Sequence, residues 1–363
     1  MTLLAPFPYF GGKSRIAAEI WARLGDTPNY IEPFFGSGAV LLARPDEHDW
    51  AHRTETVNDK DGYVANFWRA VQAAPDEVAH WADWPVSEND LHARHYWLLE
   101  RKESIVAKLE GSPDWYDAKV AGWWVWGMCA WIGSGWCSGQ GPWRVIDGEL
   151  VHAPAKGNGV NRQRPHLGDA GMGINRQLPH LGDAGRGINR QLPHLGDAGM
   201  GPCDEWSEHL RSIMGALSDR LRRVRVCSGD WTRVCGTTPT IKNGLTGVFL
   251  DPPYSDGARS QNLYVEDSMI LAHDVRAWAI ARGDNPRYRI ALCGYDTEHV
   301  MPDGWRVWAW KAQGGYGSQG NGSGRANAKR ECVWFSPYCL EAQTEQDVAS
   351  TTLWPAMALE AAE

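Results

Sequence analysis

The chain has 363 residues, 43% of them hydrophobic, and a formal net charge of -8 at pH 7, which suits one large or two modest globular domains. It contains no uncharged apolar run of about 18 residues and no basic-then-apolar amino terminus, so neither a membrane span nor a secretion signal is expected. Eight cysteines without C-x-x-C spacing predict free thiols and no metal site.

A glycine loop follows the first predicted strand. The segment from Tyr30 breaks at Gly36-Ser37-Gly38, before an apolar helix over 39–42. Glycine lets the backbone approach a ligand closely and take positive φ without strain. Upstream, Gly11-Gly12-Lys13 could place an ammonium beside a ligand carboxylate. Together these segments predict a cradle for a cofactor.

A second strand and helix come next. Glu55 to Asp59 has the composition of a strand end, and the apolar residues over 64–71 recur at helical spacing. This alternation predicts a doubly wound parallel sheet. In such sheets ligands bind at the carboxyl ends of the strands.

The pattern changes from about residue 76. Helices are predicted over 88–110 and 114–131, and the second is crowded with tryptophan. These rings are read as core, with a base-stacking platform as the alternative. Trp136 and Trp143, which lie in a glycine-rich stretch, are the better candidates to face a nucleic acid.

Three repeats of 14 residues occupy 161–201 and open at Asn161, Asn175 and Asn189. Their composition cannot bury a core, so the copies either stack as a small array or form an insertion in a surface loop. Each copy has a histidine, which a metal could use, although solvated loop histidines are favoured. Each also has an arginine that could contact phosphate: Arg162, Arg176 and Arg190.

The chain then returns to the strand-helix pattern. An amphipathic helix over 210–224 precedes a strand that ends near Asp230, and later strands are predicted near 289–293, 305–310 and 331–335. A glycine-rich stretch over 314–324 is either a loop over the site or a plain linker. It leads into the basic residues Arg325 and Lys329, whereas the tail over 341–363 is acidic and is expected to be flexible.

Asp251-Pro252-Pro253-Tyr254 is the most informative motif, because it directly follows the apolar run 247–250. Proline fixes φ and removes a backbone donor, so a carbonyl of this turn can point outward. The Asp251 carboxylate and the Pro252 carbonyl could then accept both hydrogens of one exocyclic amine, with Tyr254 against the ring that carries it. The alternative is a strand-end turn in which Asp251 caps a helix.

In this order the motifs resemble the Dam family of DNA N6-adenine methyltransferases, over residues 6–75 and 205–340. The resemblance implies catalysis at Asp251, Pro252, Pro253 and Tyr254, with S-adenosylmethionine as cofactor. It implies that Asp59 binds the ribose hydroxyls and that Asp230, with Trp231 beside it, binds the adenine amine. Trp231 stands where the family usually has Phe. The remaining cofactor residues implied are Phe10, Lys13, Glu32, Phe34, Gly36 and Gly38, with Lys13 and Glu32 at the methionine end.

The fold expected is a Rossmann-like, doubly wound α/β methyltransferase sheet with an inserted, mainly helical target-recognition region. Its first part spans 1–75, the insertion 76–205, the second part 206–340 and the tail 341–363.

We expect a site-specific enzyme that methylates N6 of a flipped adenine in double-stranded DNA. Methylation of cytosine N4, or of many adenines with little specificity, is the alternative. A dehydrogenase is disfavoured because the glycine loop lacks a third glycine. A monomer in the cytoplasm of a bacterium or phage-infected cell is expected, and the sequence leaves a partner restriction nuclease open.

Overall fold

The computed structural model describes residues 3–9, 12–45, 53–131, 136–137, 143–146, 149–152, 204–253, 263–310 and 330–341. Over 143–146, 149–152, 204–206 and 263–269 only the backbone is described.

Among the described residues, seven strands form one mostly parallel sheet, and two more form a separate antiparallel hairpin. The strands are β1 (Asn29–Glu32), β2 (Thr54–Asp59), β3 (Trp143–Ile146), β4 (Glu149–His152), β5 (Val224–Ser228), β6 (Thr246–Leu250), β7 (Tyr288–Tyr295), β8 (Arg306–Ala309) and β9 (Glu331–Phe335). The sheet order is β5-β2-β1-β6-β7-β9-β8, and β9 runs antiparallel between β7 and β8. The Rossmann-like α/β prediction is confirmed.

Both faces of this sheet are covered. Alternate residues of the central strands enter two different cores: Phe249 and Ala291 one, Val248 and Ile290 the other. Successive side chains of a strand point to opposite faces, and both faces are covered here, so every residue of β6 is buried.

The helices are α1 (Ala17–Leu24), α2 (Ala39–Leu42), α3 (Gly62–Ala73), α4 (Pro75–Ala82), α5 (Glu88–Leu99), α6 (Lys102–Gly111), α7 (Ala118–Ala130), α8 (Asp204–Leu221) and α9 (Leu263–Gly283). The single helix predicted over 88–110 is wrong, because the chain breaks between α5 and α6. The sequence reasoning also missed α4, which begins at Pro75; proline is favoured in a first helical turn.

The helices after residue 76 share a core with the sheet helices. Trp124 of α7 packs against Phe67 and Tyr63 of α3, and α4 packs on both α7 and α8. The interpretation of the tryptophans as core is therefore confirmed for Trp124 and Trp126, which are fully buried. None of the helices in the described part of the chain has the length and hydrophobicity needed to cross a bilayer.

Candidate active site

Acidic residues lie at the carboxyl ends of neighbouring strands, at one edge of the sheet. Glu32 ends β1, Asp59 ends β2 and Asp251 comes directly after β6. Asp230 lies two residues beyond β5. These four strands are adjacent and parallel, so their carboxyl ends meet at the same edge. This is where ligands bind in open α/β sheets.

The glycine loop Gly36-Ser37-Gly38 is hydrogen-bonded to the end of β2. The Gly36 amide donates to Asp59 Oδ2 at 2.8 Å, and the Trp68 indole donates to the Gly36 carbonyl at 2.9 Å. Gly36 has φ of +48°, and a Cβ there would lie 2.7 Å from the ring of Tyr9. Both the backbone conformation and the close approach therefore require glycine.

Asp59 joins this loop to the following helix. Besides Gly36, its carboxylate accepts the Asp61 amide at 2.8 Å, and Asp61 in turn caps α3 by accepting the Tyr63 amide. Burial, reinforced by the charge of Asp61, raises the pKa of Asp59 to about 7. This carboxyl therefore changes charge near neutral pH, where an ordinary aspartate is fully ionised.

Lys13 lies against the acid of the proline turn. Its Nζ is 3.0 Å from Asp251 Oδ2 and 3.8 Å from Glu331 Oε2, and its side chain is only 3% exposed. Burial alone would lower the pKa of Lys13, but the charges of Asp251 and its other neighbours outweigh burial and raise it. The ammonium was expected at the methionine end of a cofactor; in the structure it is held at the catalytic candidate.

Glu32 is buried beside these groups. The Tyr30 hydroxyl donates to its Oε2 at 2.9 Å. Burial raises the pKa of Glu32 well above its usual range, and the nearby charges of Asp251 and Asp59 raise it further. The acids at the ends of β1, β2 and β6 are therefore close enough for the charges of Asp59 and Asp251 to affect the ionisation of Glu32.

The expected adenine-binding pair lies beside the β1 loop. Trp231 is buried and stacks on Phe34, with ring centroids 6.2 Å apart and an interplanar angle of 30°. Asp230 is exposed and accepts hydrogen bonds from the Thr232 hydroxyl and amide, and the hydroxyl bond in particular lowers its pKa. An ionised acid thus stands beside an aromatic pair.

Two site residues were missed by the sequence reasoning. Glu331 begins β9 and reaches Lys13, and Tyr9 packs on the glycine loop. Burial raises the pKa of Tyr9 well above its usual range, and the charges of Asp59 and Asp251 add to this. Tyr9 is adjacent to the Gly-Gly-Lys segment, whereas nothing local to Glu331 marks it.

Trp136 corrects one expectation. It was a candidate to face a nucleic acid, but it is 8% exposed and its indole donates to the Trp124 carbonyl at 3.0 Å. The ring lies over Gly127 of α7, where the missing side chain makes room for it. Trp136 belongs to the core and is not available to stack on a base.

Other expected site residues lie outside the described residues. They are Phe10, Tyr254, Arg162, Arg176, Arg190, Arg325 and Lys329. Of the catalytic motif, Asp251, Pro252 and Pro253 are described, with Pro252 buried and Pro253 exposed.

Residues 9–107 match the model of the family described as D12 class N6 adenine-specific DNA methyltransferase. The match covers 99 of the 363 residues, and over this segment the chain is similar to DNA adenine methyltransferases of this class. It spans Lys13, the glycine loop and Asp59, and it stops before Asp251. Comparison with curated proteins finds no match. The predicted resemblance is confirmed, and methyltransferases of this family generally use S-adenosylmethionine. The match indicates an enzyme that acts on DNA.

Proposed function

We propose that this methyltransferase transfers a methyl group from S-adenosylmethionine to N6 of an adenine flipped out of double-stranded DNA, at a pocket centred on Asp251. The observation that carries the proposal is the position of Asp251. It leaves a buried central strand at the edge that holds the glycine loop, and it is followed by a buried and then an exposed proline.

The residues of this edge fit the cofactor. Gly36 and Gly38 have positive φ, and a Cβ on Gly36 would fill space next to Tyr9. Asp251 pairs with Lys13, and Glu32 interacts electrostatically with Asp251 and Asp59, so carboxyl groups at this edge outnumber the ammonium. S-adenosylmethionine supplies an electrophilic methyl group on a sulfonium, and its positive charge suits an edge with excess negative charge.

Each end of the cofactor has a candidate partner. Asp59 retains acceptor capacity beyond its two amide bonds, because a carboxylate has about four lone-pair sites. We assign it to the ribose hydroxyls. We assign the adenine amine to Asp230, and the stacked rings of Trp231 and Phe34 to the aromatic wall beside the adenine. Glu32 is left for the methionine amino group.

The chemistry at N6 needs hydrogen-bond acceptors more than a base. The N6 lone pair is delocalised into the adenine ring, so the amine is a poor nucleophile. Asp251 and the Pro252 carbonyl can accept its two hydrogens, which favours a tetrahedral nitrogen and stabilises the positive charge that develops there. Loss of one such partner typically costs about 3 kcal/mol. The proton can leave after transfer.

The target atom is out of reach within a duplex, so the base must leave the stack at a cost of a few kcal/mol. Stacking on an aromatic side chain returns about 1–3 kcal/mol. We assign this role to Tyr254. Tyr254→Ala should therefore slow transfer strongly while overall DNA affinity, which depends on phosphate contacts, stays nearly unchanged. A large loss of affinity would instead place Tyr254 on the duplex-binding surface.

The decisive experiment compares wild type with Asp251→Asn and Asp251→Ala. Transfer of a tritium-labelled methyl group to DNA should be abolished in Asp251→Ala and at least about 100-fold slower in Asp251→Asn, whose amide keeps one acceptor oxygen, while S-adenosylmethionine binding by calorimetry persists in both. Asp303→Asn, which neutralises an exposed acid far along the chain from the motif, is the control and should keep full activity. Mass analysis of nucleosides from wild-type reactions should give N6-methyladenine. Methylation by Asp251→Asn at the wild-type rate would remove the assigned role.

We also propose that Arg162, Arg176 and Arg190 contact phosphates. Each phosphate contact contributes a slope of about -0.9 to the dependence of log affinity on log salt. Replacing the three arginines with alanine should therefore flatten the salt dependence by about 2.7 and weaken binding to all sequences equally. An unchanged slope would favour the loop-insertion reading. Sequencing that maps methylated adenines would measure the specificity of the wild-type protein.

A further inference from the structure

Glu331 reaches the candidate active site from β9, the antiparallel strand next to β7. It is the first residue of β9 and pairs with Tyr295 at the end of β7. Because β9 is antiparallel to β7, its beginning lies at the same edge as the carboxyl ends of the parallel strands. Its side chain is 12% exposed, and Oε2 has no hydrogen-bond partner among the described residues. That oxygen lies 3.8 Å from Lys13 Nζ.

Lys13 creates an electrostatic problem for methyl transfer. Its ammonium contacts Asp251 at 3.0 Å, and Asp251 is also the proposed acceptor for the N6 amine. Positive charge develops on N6 during transfer, so a nearby ammonium opposes the transition state. A lysine bound to Asp251 alone would also use up acceptor capacity that the amine needs. A second acid on Lys13 relieves both effects.

We propose that Glu331 is a positioning residue for methyl transfer. It draws the Lys13 ammonium away from the amine-facing side of Asp251 and offsets its charge, so that the three groups together keep a net negative charge. This inference rests on the proposed role of Asp251. The separation of 3.8 Å is an ion-pair distance that exceeds a hydrogen bond, so Glu331 acts through charge.

This mode of action predicts how substitutions rank. Glu331→Gln keeps the shape but loses the charge, whereas Glu331→Asp keeps the charge on a shorter arm. Because the effect passes through Lys13, its size is a coupling energy between neighbouring members of an ion-pair network, about 0.5–3 kcal/mol, which changes a rate about 2- to 150-fold. Glu331→Gln should lower the rate by that factor, and Glu331→Asp should restore part of it.

The test measures single-turnover rates of preformed complexes of enzyme, S-adenosylmethionine and DNA. Dissociation constants for cofactor and DNA are measured in parallel. We expect Glu331→Gln to lower the rate while both constants stay nearly constant. Asp296→Asn is the matched control, because it removes an acid that directly follows the adjacent β7 and pairs with Arg330 on the surface. Such exposed pairs contribute little, so its rate should equal that of wild type.

A double-mutant cycle tests the path through Lys13. If Glu331 acts mainly on the ammonium, Glu331→Gln should cost much less in a Lys13→Met background than in wild type. An equal cost in both backgrounds overturns the proposal. So does a wild-type rate for Glu331→Gln, or an effect confined to cofactor affinity.

Folding of the variants is checked by thermal melting. If Glu331→Gln does not fold, the comparison of Lys13→Met with Lys13→Met/Glu331→Gln decides, because removing both partners of a buried pair is tolerated better than removing one. Equal rates of these two variants, together with a rate for Glu331→Asp below wild type, support the proposal. Unequal rates, or a wild-type rate for Glu331→Asp, reject it. Failure of wild type to methylate adenine would instead reject the proposed function.

Discussion

Cofactor affinity should depend on pH through Asp59. In the ligand-free protein burial and the charge of Asp61 raise the pKa of Asp59 to about 7. Ribose hydroxyls and a cationic ligand both favour the ionised carboxylate, so binding must remove the proton that Asp59 carries below this pH. The affinity for S-adenosylmethionine is therefore expected to be constant above pH 8 and to fall as the pH drops through 7.

The magnitude follows from linkage. With a pKa of about 7, Asp59 is mostly ionised at pH 8 and about nine-tenths protonated at pH 6, so the dissociation constant should rise about tenfold between them. Binding at pH 6 should also release about 0.9 proton from this group. Isothermal titration calorimetry in buffers with different ionisation enthalpies measures both quantities.

Two variants separate Asp59 from other titrating groups. Asp59→Asn should bind weakly and lose its share of the proton release, and what remains belongs to the cofactor amino group and the other acids. Asp61→Asn removes the charge that helps to raise the pKa of Asp59, while asparagine can still cap α3. Its affinity should begin to fall at a lower pH than in wild type. Equal wild-type affinities at pH 6 and pH 8 without proton release would refute the reasoning.

Three further predictions concern the framework of the site. Gly36→Ala should weaken cofactor binding about tenfold or more and cost at least about 1–2 kcal/mol of stability, because φ is positive and the new methyl group would meet the Tyr9 ring. Its control is Gly215→Ala, at a position with open space in α8, which should raise the free energy of unfolding in denaturant by about 1 kcal/mol. Trp136→Ala should lower stability by about 3–5 kcal/mol and leave the DNA affinity of the folded protein unchanged in a filter-binding assay, since the indole is core; a selective loss of DNA affinity would contradict this. Asp59→Asn should stabilise the ligand-free protein by about 1–3 kcal/mol at pH 8 and by much less at pH 5. The pKa of Asp59 is raised in the folded protein, so the cost of its buried charge is fully present above about pH 7 and disappears as the pH falls toward the unfolded pKa of about 4. An equal effect at both pH values would count against the raised pKa.

The edge that carries the site could be predicted from the sequence because it depends on a regular property of parallel sheets. Glu32, Asp59 and Asp251 each follow an apolar strand, and parallel neighbours end at the same edge. The glycine loop could also be predicted, because positive φ at Gly36 and Gly38 is a local requirement that the residue type itself reveals.

The contacts made across the sheet could not be predicted in this way. Lys13 and Asp251 are far apart in the chain, and their pairing depends on where the amino-terminal segment crosses the sheet. Glu331 reaches the site only because β9 enters antiparallel between β7 and β8. Strand periodicity predicts which side chains share a face but is silent on strand order.

Trp136 shows the same limit for packing. Neighbouring glycines suggested an exposed ring, since glycine-rich segments usually lie on the surface. The indole instead fills the space left by Gly127, whose added Cβ would lie 1.9 Å from the ring. The fit between the absent side chain of Gly127 and the Trp136 ring exists only once the two segments are packed together. The sequence of either segment alone does not predict it.

The acidic edge also explains why part of the folding free energy is given up at this site. Burial raises the pKa of Glu32, and burial also raises the pKa of Glu331, so each carboxylate is less stable when ionised in the fold than in water. A chain selected for stability alone would place apolar residues there, because a well-packed apolar group costs no desolvation. Under the proposed function, the acid that ends β1 meets the positive charge of the cofactor, and the acid that begins β9 offsets Lys13 while positive charge develops on the nitrogen that receives the methyl group. The destabilised carboxylates are thus the groups that gain most when that charge arrives, which is the preorganisation that electrostatic catalysis requires.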